Sequence, residues 1–323
     1  MNIYDQIESN KRNVRIIVIL FVTFFLFIGL GFDYYYGVGH NVPIFTVVAF
    51  FVAAILSYSG YRYGDRMILS STRAREVDLS DLKEKQWQNV VGEMSIAAGI
   101  PMPKTYVIDD PDPNAFATGP DPAHASIAVT RGLLDSLGRD ELQAVASHEM
   151  SHIKNFDIRL MLALAVMVGS IALLSDWASR GLFRSSRRSS GSSSSPGKSG
   201  GESGLGLVLF VIWLAAVILA PILSQIMAMC VSRKREYLAD ASGAELTRNP
   251  MALASALEKI SSRREPTRSI NQGTAHLCIA DPKGSSINSK EGPAADLFAT
   301  HPPIDKRIEI LRQMAYLNTD KRG

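Results

Sequence analysis

The chain has 323 residues, with 34 Lys and Arg against 31 Asp and Glu, a formal net charge of +3 and a pI of about 8.8. Charge this close to balance, with no basic stripe carrying interleaved aromatics, argues against a nucleic-acid partner. Two cysteines, Cys230 and Cys278, exclude a disulfide framework and a cysteine-based zinc cluster. The mean hydropathy of +0.08 is an average over apolar blocks and a polar remainder.

Four apolar stretches stand out in chain order. The first, Ile16 to Phe32, is uncharged between Arg15 and Asp33. No small-residue cleavage site follows it, so it reads as an uncleaved anchor and not as a signal peptide. The second runs from Asn41 to Tyr61, ahead of Arg62. Both meet the roughly 20 apolar residues that a membrane-crossing helix needs. Lys11, Arg12 and Arg15 precede the first span, and Arg62, Arg66, Arg73 and Arg75 follow the second. The excess of positive charge places the N-terminus and the chain after Tyr61 in the cytoplasm.

Short strand-like runs follow at Lys104–Ile108, Ala115–Thr118 and Ser126–Thr130, each flanked by Pro, Gly or Asp. Apolar periodicity predicts helices over Leu82–Ala98, Arg139–Phe156, Glu236–Thr247 and Met251–Ser262. Between these groups lie the third apolar stretch, Leu160 to Ser175, and the fourth, Ser203 to Ser232. The third is short enough to be either a buried core helix or a span. Its pairing with the fourth favours a second membrane hairpin.

A Ser/Gly-rich linker over 185–204 separates these two and is too polar to order itself by burial. It and its flanks carry Arg180, Arg184, Arg187, Arg188 and Lys198, which sits awkwardly with two full crossings. The expected organisation is a transmembrane hairpin (1–62), half of a polar α+β domain (63–159), a second hairpin (160–232) and the other half (233–323).

His148-Glu149-Met150-Ser151-His152 fits HExxH within a predicted helix. Positions i and i+4 share a helix face, so both imidazoles can hold one Zn²⁺, with Glu149 at its edge placed to take a proton from water. A catalytic zinc keeps three protein ligands and an open position. Glu236 and Asp240, also i and i+4, supply a candidate third ligand and a carboxylate to fix the tautomer of a ligating histidine. Without HExxH the same two acids read as a solvated helix face. A helical hairpin would return Glu236 to the side where His152 leaves it.

Two further features are candidates. Asn114, Ala115, Phe116, Ala117 and Thr118 form a short strand ending at Gly119, either an edge for an extended peptide substrate or an ordinary hairpin strand. His301, before two prolines and Arg307, is a candidate charge stabiliser for a tetrahedral oxyanion, or simply a surface loop residue. His40, His124 and His276 have no partner pattern, and Cys230 reads as a packing residue.

Taken together, Asn114–Gly119, His148–His152 continuing to Asp157, Glu236–Asp240, and Thr300-His301-Pro302-Pro303 with Arg307 resemble the HtpX-like membrane zinc metalloproteases, relatives of the CAAX prenyl endopeptidases. The resemblance implies an α+β fold. It implies a mainly α-helical integral membrane protein, with four transmembrane helices and a gluzincin-type zincin domain carrying a small β-sheet. It also implies one Zn²⁺ per chain on His148, His152 and Glu236, with Glu149 as general base and His301 assisting.

Asp240 and Arg307 are then supporting residues, and Asn114 to Thr118 form the substrate edge. The implied role is hydrolysis of misfolded or damaged membrane proteins from the cytoplasmic face of the inner membrane. The lipid bilayer, and other membrane proteases or further copies of the chain, are the remaining partners. Three rivals are a scaffold with a structural zinc, a metal transporter and a prenyl-peptide endopeptidase. Structural zinc favours four closed ligands, transport favours ionisable groups within the spans, and the prenyl enzymes carry a larger set of spans.

Overall fold

The structure, a computed structural model, describes residues 3–36, 43–167, 169–171, 211, 214, 215, 233–262, 277–279 and 302–320. It opens on two long helices, α1 (Ile3–Tyr36) and α2 (Ile44–Ser71), packed against each other. Their stretches Ile7–Asp33 and Ile44–Ser71 are long and apolar enough to cross a membrane. Only 22% and 11% of their most apolar windows are buried, whereas a core helix would be largely covered. Ile19, Phe27, Phe51 and Ile55 are each more than half exposed, a surface that lipid satisfies and water does not. α2 continues past the boundary expected at residue 62 and carries the chain into the polar domain.

After β1 (Arg75–Glu76) come α3 (Leu82–Ala98), β2 (Lys104–Ile108), β3 (Ala115–Thr118), a 3₁₀ turn, β4 (Ser126–Thr130), α4 (Arg131–Ser136) and α5 (Arg139–Lys154). Beyond the second apolar region lie α6 (Arg233–Thr247), α7 (Pro250–Ser262) and α8 (Ile304–Asp320). The three sequence-predicted strands match β2, β3 and β4. α5 stops two residues before its expected end, because Phe156 adopts a φ of 59° and breaks the helix.

The sheet has the order β1-β2-β4-β3, with β2 and β4 parallel and both outer pairs antiparallel. Both of its faces are covered, and alternate side chains divide between them. Val107, Ala115, Ala117, Ile127 and Val129 join the core built with Trp87, Val90 and Val91 of α3 and Val145 and Met150 of α5. Ile108, Phe116 and Ala128 face the opposite way, onto Ile68 and Leu69 at the end of α2 and onto Met161, Leu162 and Ala165. The polar domain is therefore built directly on the foot of the helical hairpin.

Of the third apolar stretch, residues up to 167 and 169–171 are described and helical. Leu160, Leu164, Met167 and Ile171 are buried against Ile17, Phe21 and Phe25 of α1 and Ala53 of α2. Gly60 and Gly64 of α2 face Val166 and Leu162, the close small-residue contact by which helices associate in lipid. The fourth stretch (apart from 211, 214 and 215), the 185–204 linker, His40, His276 and His301 lie outside the described residues.

Candidate metal centre

α5 carries the HExxH residues through the middle of the domain, and every residue from Ala144 to Ile153 is buried. Its first turn is secured by Glu141, which accepts the Gly138 N–H at 2.7 Å. α6 crosses α5 at Gly243, where a Cβ would lie 3.1 Å from the His148 nitrogen. The Ser147 hydroxyl donates to the Gly243 carbonyl at the same crossing, at 3.1 Å. Glu236, Asp240 and Gly243 lie on one face of α6, so this close approach brings both carboxylates onto the histidines.

His148 Nε2 and His152 Nε2 stand 3.2 Å apart. Glu236 Oε2 is 3.8 Å from the first and its Oε1 is 3.6 Å from the second. These three residues form a buried group whose ligand atoms all lie within 4.8 Å of one another.

The opposite ring nitrogen of each histidine sits beside a carboxylate. His148 Nδ1 is 3.0 Å from Asp240 Oδ1, and His152 Nδ1 is 2.9 Å from Asp157 Oδ2. A carboxylate only accepts, so the hydrogen bond to Asp157 keeps a proton on His152 Nδ1, Asp240 stands in the same position behind His148 Nδ1, and each Nε2 is aimed inward. Two lone pairs and a carboxylate converging in a dry site repel one another unless a cation lies between them. A tetrahedral zinc with bonds of about 2.0–2.2 Å spaces its donors roughly 3.3–3.6 Å apart; the two Nε2 atoms stand near that spacing and Glu236, with a different oxygen nearest each histidine, slightly wider. The residues fit a metal ion.

Glu149 is 1% exposed and its Oε1 has no hydrogen-bond partner among the described residues. Burial pushes its carboxyl pKa above the ordinary range, against the pull of His148 and His152. Burial works against a charged His152, but the hydrogen bond to Asp157 and the Glu236 carboxylate outweigh it and lift its pKa to about 9, so that without a metal ion a proton takes the inward Nε2. Asp240 is also desolvated, yet Arg307 holds its pKa below the usual carboxylate value.

Arg307, from α8, lies behind the histidines, against the carboxylate of Asp240. It is 1% exposed, and its Nε and Nη2 donate to the two oxygens of Asp240. Its Nη1 donates to the Ile279 carbonyl at 3.0 Å and lies 3.4 Å from Glu236 Oε2. The guanidinium is committed to the carboxylates behind the histidines. His301 lies outside the described residues, three positions before α8 begins.

Asn114 to Thr118 do lie on an edge strand beside α5. Ala115 and Ala117 face that helix, and their small side chains let it approach. The outer side of β3 is not bare, however. Ile279 N–H donates to the Ala115 carbonyl at 3.0 Å, and Phe116 and Cys278 form an antiparallel bridge. An extended substrate therefore meets the chain's own Leu277–Ile279 at this end of the edge.

Sequence reasoning missed Asp157 and Gly243. Asp157 is five residues from His152, off its helix face, and arrives beside it only through the break at Phe156. Gly243 carried a signal, a glycine inside a predicted helix seven residues after Glu236.

Residues 81–315 match Peptidase family M48. The chain is 42% identical to a protease HtpX homolog of Dictyoglomus turgidum, over 99% of this chain and 98% of that protein. Another protease HtpX homolog, from Caldanaerobacter subterraneus subsp. tengcongensis, is 40% identical over 97% of this chain and 98% of that one. A crystal structure of S. mikatae Ste24p superposes with a TM-score of 0.44 at 17% identity, covering 82% of this chain and 64% of that one. The metal-binding geometry, the family match and the full-length relatives agree: the chain belongs to peptidase family M48.

Proposed function

We propose that the chain is a membrane-bound zinc endopeptidase in which His148, His152 and Glu236 hold the metal and Glu149 is the general base. The observation that carries this reading is the convergence of the two Nε2 atoms and the Glu236 carboxylate, beside a buried Glu149 whose Oε1 has no partner among the described residues. A structural zinc would call for a fourth protein ligand, and among the described residues the group has three.

When bound, the zinc supplies Lewis acidity toward a water and the scissile carbonyl. Glu149 takes the proton from the attacking water at Oε1 and delivers it to the leaving amine nitrogen. Its raised pKa suits a group that must both accept and return a proton near neutral pH. Asp157 and Asp240 keep the histidine protons on Nδ1, and Arg307 holds Asp240 ionised. The β3 edge beyond the Phe116–Cys278 bridge lines up the extended substrate, with His301 assisting the oxyanion.

In this reading the substrates are misfolded or damaged membrane proteins, cut at the cytoplasmic face of the inner membrane by a chain with four crossings. The basic residues flanking the first two spans and the seating of the site at the foot of α1 and α2 support that placement. Kinship with proteases of HtpX type supports the cleavage of protein substrates. Other membrane proteases or further copies of the chain are the remaining partners.

The test is Glu149→Gln in purified, detergent-solubilised protein. It should retain one zinc and lose cleavage of an unfolded membrane-protein substrate, while the wild type loses activity to a chelator and regains it with zinc. A Glu149→Gln variant that still cleaves defeats the reading.

A further inference from the structure

Asn10 lies in the polar lead of α1, before the apolar stretch, and is 2% exposed. Its side-chain amide donates twice, to Asp157 Oδ1 at 2.6 Å and to the Asn155 carbonyl at 3.1 Å. Asp157 is itself fully buried, and its other oxygen holds His152 Nδ1 at 2.9 Å. A continuous path of hydrogen bonds thus runs from the first membrane helix to a candidate metal ligand. The next residue of α1 reinforces it, with the Lys11 ammonium 5.2 Å above the ring of Phe156. One turn of α1 therefore holds all three residues of the bend, 155 to 157, that returns Asp157 to His152.

We propose that Asn10 is a positioning residue that couples the seating of the first membrane helix to the metal centre. A buried carboxylate is held in one orientation when each oxygen has its own donor. Without the Asn10 amide, the nearest remaining cation to Asp157 Oδ1 among the described residues is Arg235 Nη1, at 3.9 Å. That is beyond hydrogen-bond reach. Asp157 is then free to turn, and the ring plane and tautomer of His152 are no longer fixed. Partners behind metal-binding histidines commonly change metal affinity by about 10- to 100-fold. The proposal rests on the reading of His152 as a metal ligand. It adds that a residue outside the polar domain tunes that ligand.

The alternative is that α1 matters only through packing, which Ile17, Phe21 and Phe25 supply against Leu160 and Leu164. Full-length wild type, Asn10→Ala, Asn10→Asp and Ile17→Ala in detergent distinguish the two. Asn10→Asp keeps the side-chain shape but sets an acceptor against Asp157, and Ile17→Ala loosens packing without touching it.

The readouts are the rate of zinc loss to a chelator and the visible absorption of the cobalt-loaded protein, which reports ligand geometry. Both Asn10 variants should lose zinc about 10-fold faster or more and shift the cobalt bands. Ile17→Ala should retain wild-type values on both, even if it melts earlier. Wild-type zinc loss and cobalt spectra in both Asn10 variants overturn the proposal, as does Ile17→Ala matching them. A wild-type chain that takes up no stoichiometric zinc overturns the metal assignment itself, a separate and recognisable failure.

Discussion

Arg307 grips both carboxylate oxygens of Asp240, at 2.8 and 2.7 Å, with neither side chain exposed to water. The pair stands directly behind His148, whose Nδ1 is 3.0 Å from the same Asp240. Removing one partner of a buried ion pair leaves an uncompensated charge, at a cost of about 3–5 kcal/mol. Arg307→Met should therefore destabilise the domain and loosen the metal, as thermal melting and metal content will show. Arg307→Lys should recover little, because an ammonium cannot reproduce the two-pronged contact.

Gly243 sets how closely α6 can lie against the HExxH helix. A valine there must push its Cβ into the His148 backbone, so Gly243→Val should move Glu236 away from the histidines. Overpacking of this kind costs about 1–3 kcal/mol. Zinc retention should fall further than in a surface variant of equal thermal stability, measured by chelator competition.

A reciprocal size exchange tests the packing of the membrane helices. A Cβ on Gly64 would lie 2.8 Å from Leu162 Cδ1 and 2.9 Å from Val166 Cγ2, and one on Gly60 would clash with Val166. Gly60→Ala should lower the melting temperature in detergent. Adding Val166→Ala, which makes room, should restore much of the loss; additive destabilisation would mean that these residues do not meet.

Acid sensitivity should trace partly to Glu84. It accepts both Arg75 Nη1 and Nη2, at 2.8 and 2.7 Å, and the Asp78 N–H at 2.8 Å, pinning β1 to α3. Arg75 first, with the Asp78 N–H, holds its carboxyl pKa below the ordinary 4.5. A carboxyl depressed in the folded state stabilises the fold above its unfolded value, and that contribution disappears as pH falls through the lower folded value. Denaturant melts of Glu84→Gln should show a lower plateau near neutrality and a shallower fall between about pH 5 and pH 3 than the wild type.

The regular elements were legible where side-chain period and burial agree. β2, β3 and β4 alternate between two covered faces, and the HExxH residues and Glu236 sit on helices whose faces can be counted. β1 escaped notice, being two polar residues held by the Arg75–Glu84 contact. The supporting residues were legible only in part. Asp240 follows Glu236 by one helical turn and was assigned, whereas Asp157 depends on the left-handed backbone of Phe156, which no periodicity encodes. Asn10 reads as part of a charged flank, Asn10-Lys11-Arg12. Its burial arises from contact with a segment nearly half a chain away.

The bridging segment Leu277–Ile279 has a consequence during synthesis. β3 is made early, but the segment bridging Phe116 emerges from the ribosome only after about half the chain more has followed, and Arg307 later still. An uncovered strand edge is a template for pairing with other chains. Glu236 and Asp240 also precede that segment, so the two histidines can meet both carboxylates while the edge is still open. The arrival of residues 277–279, and then of Arg307, ends that exposure and makes the C-terminal part of the chain the guard against pairing with its neighbours.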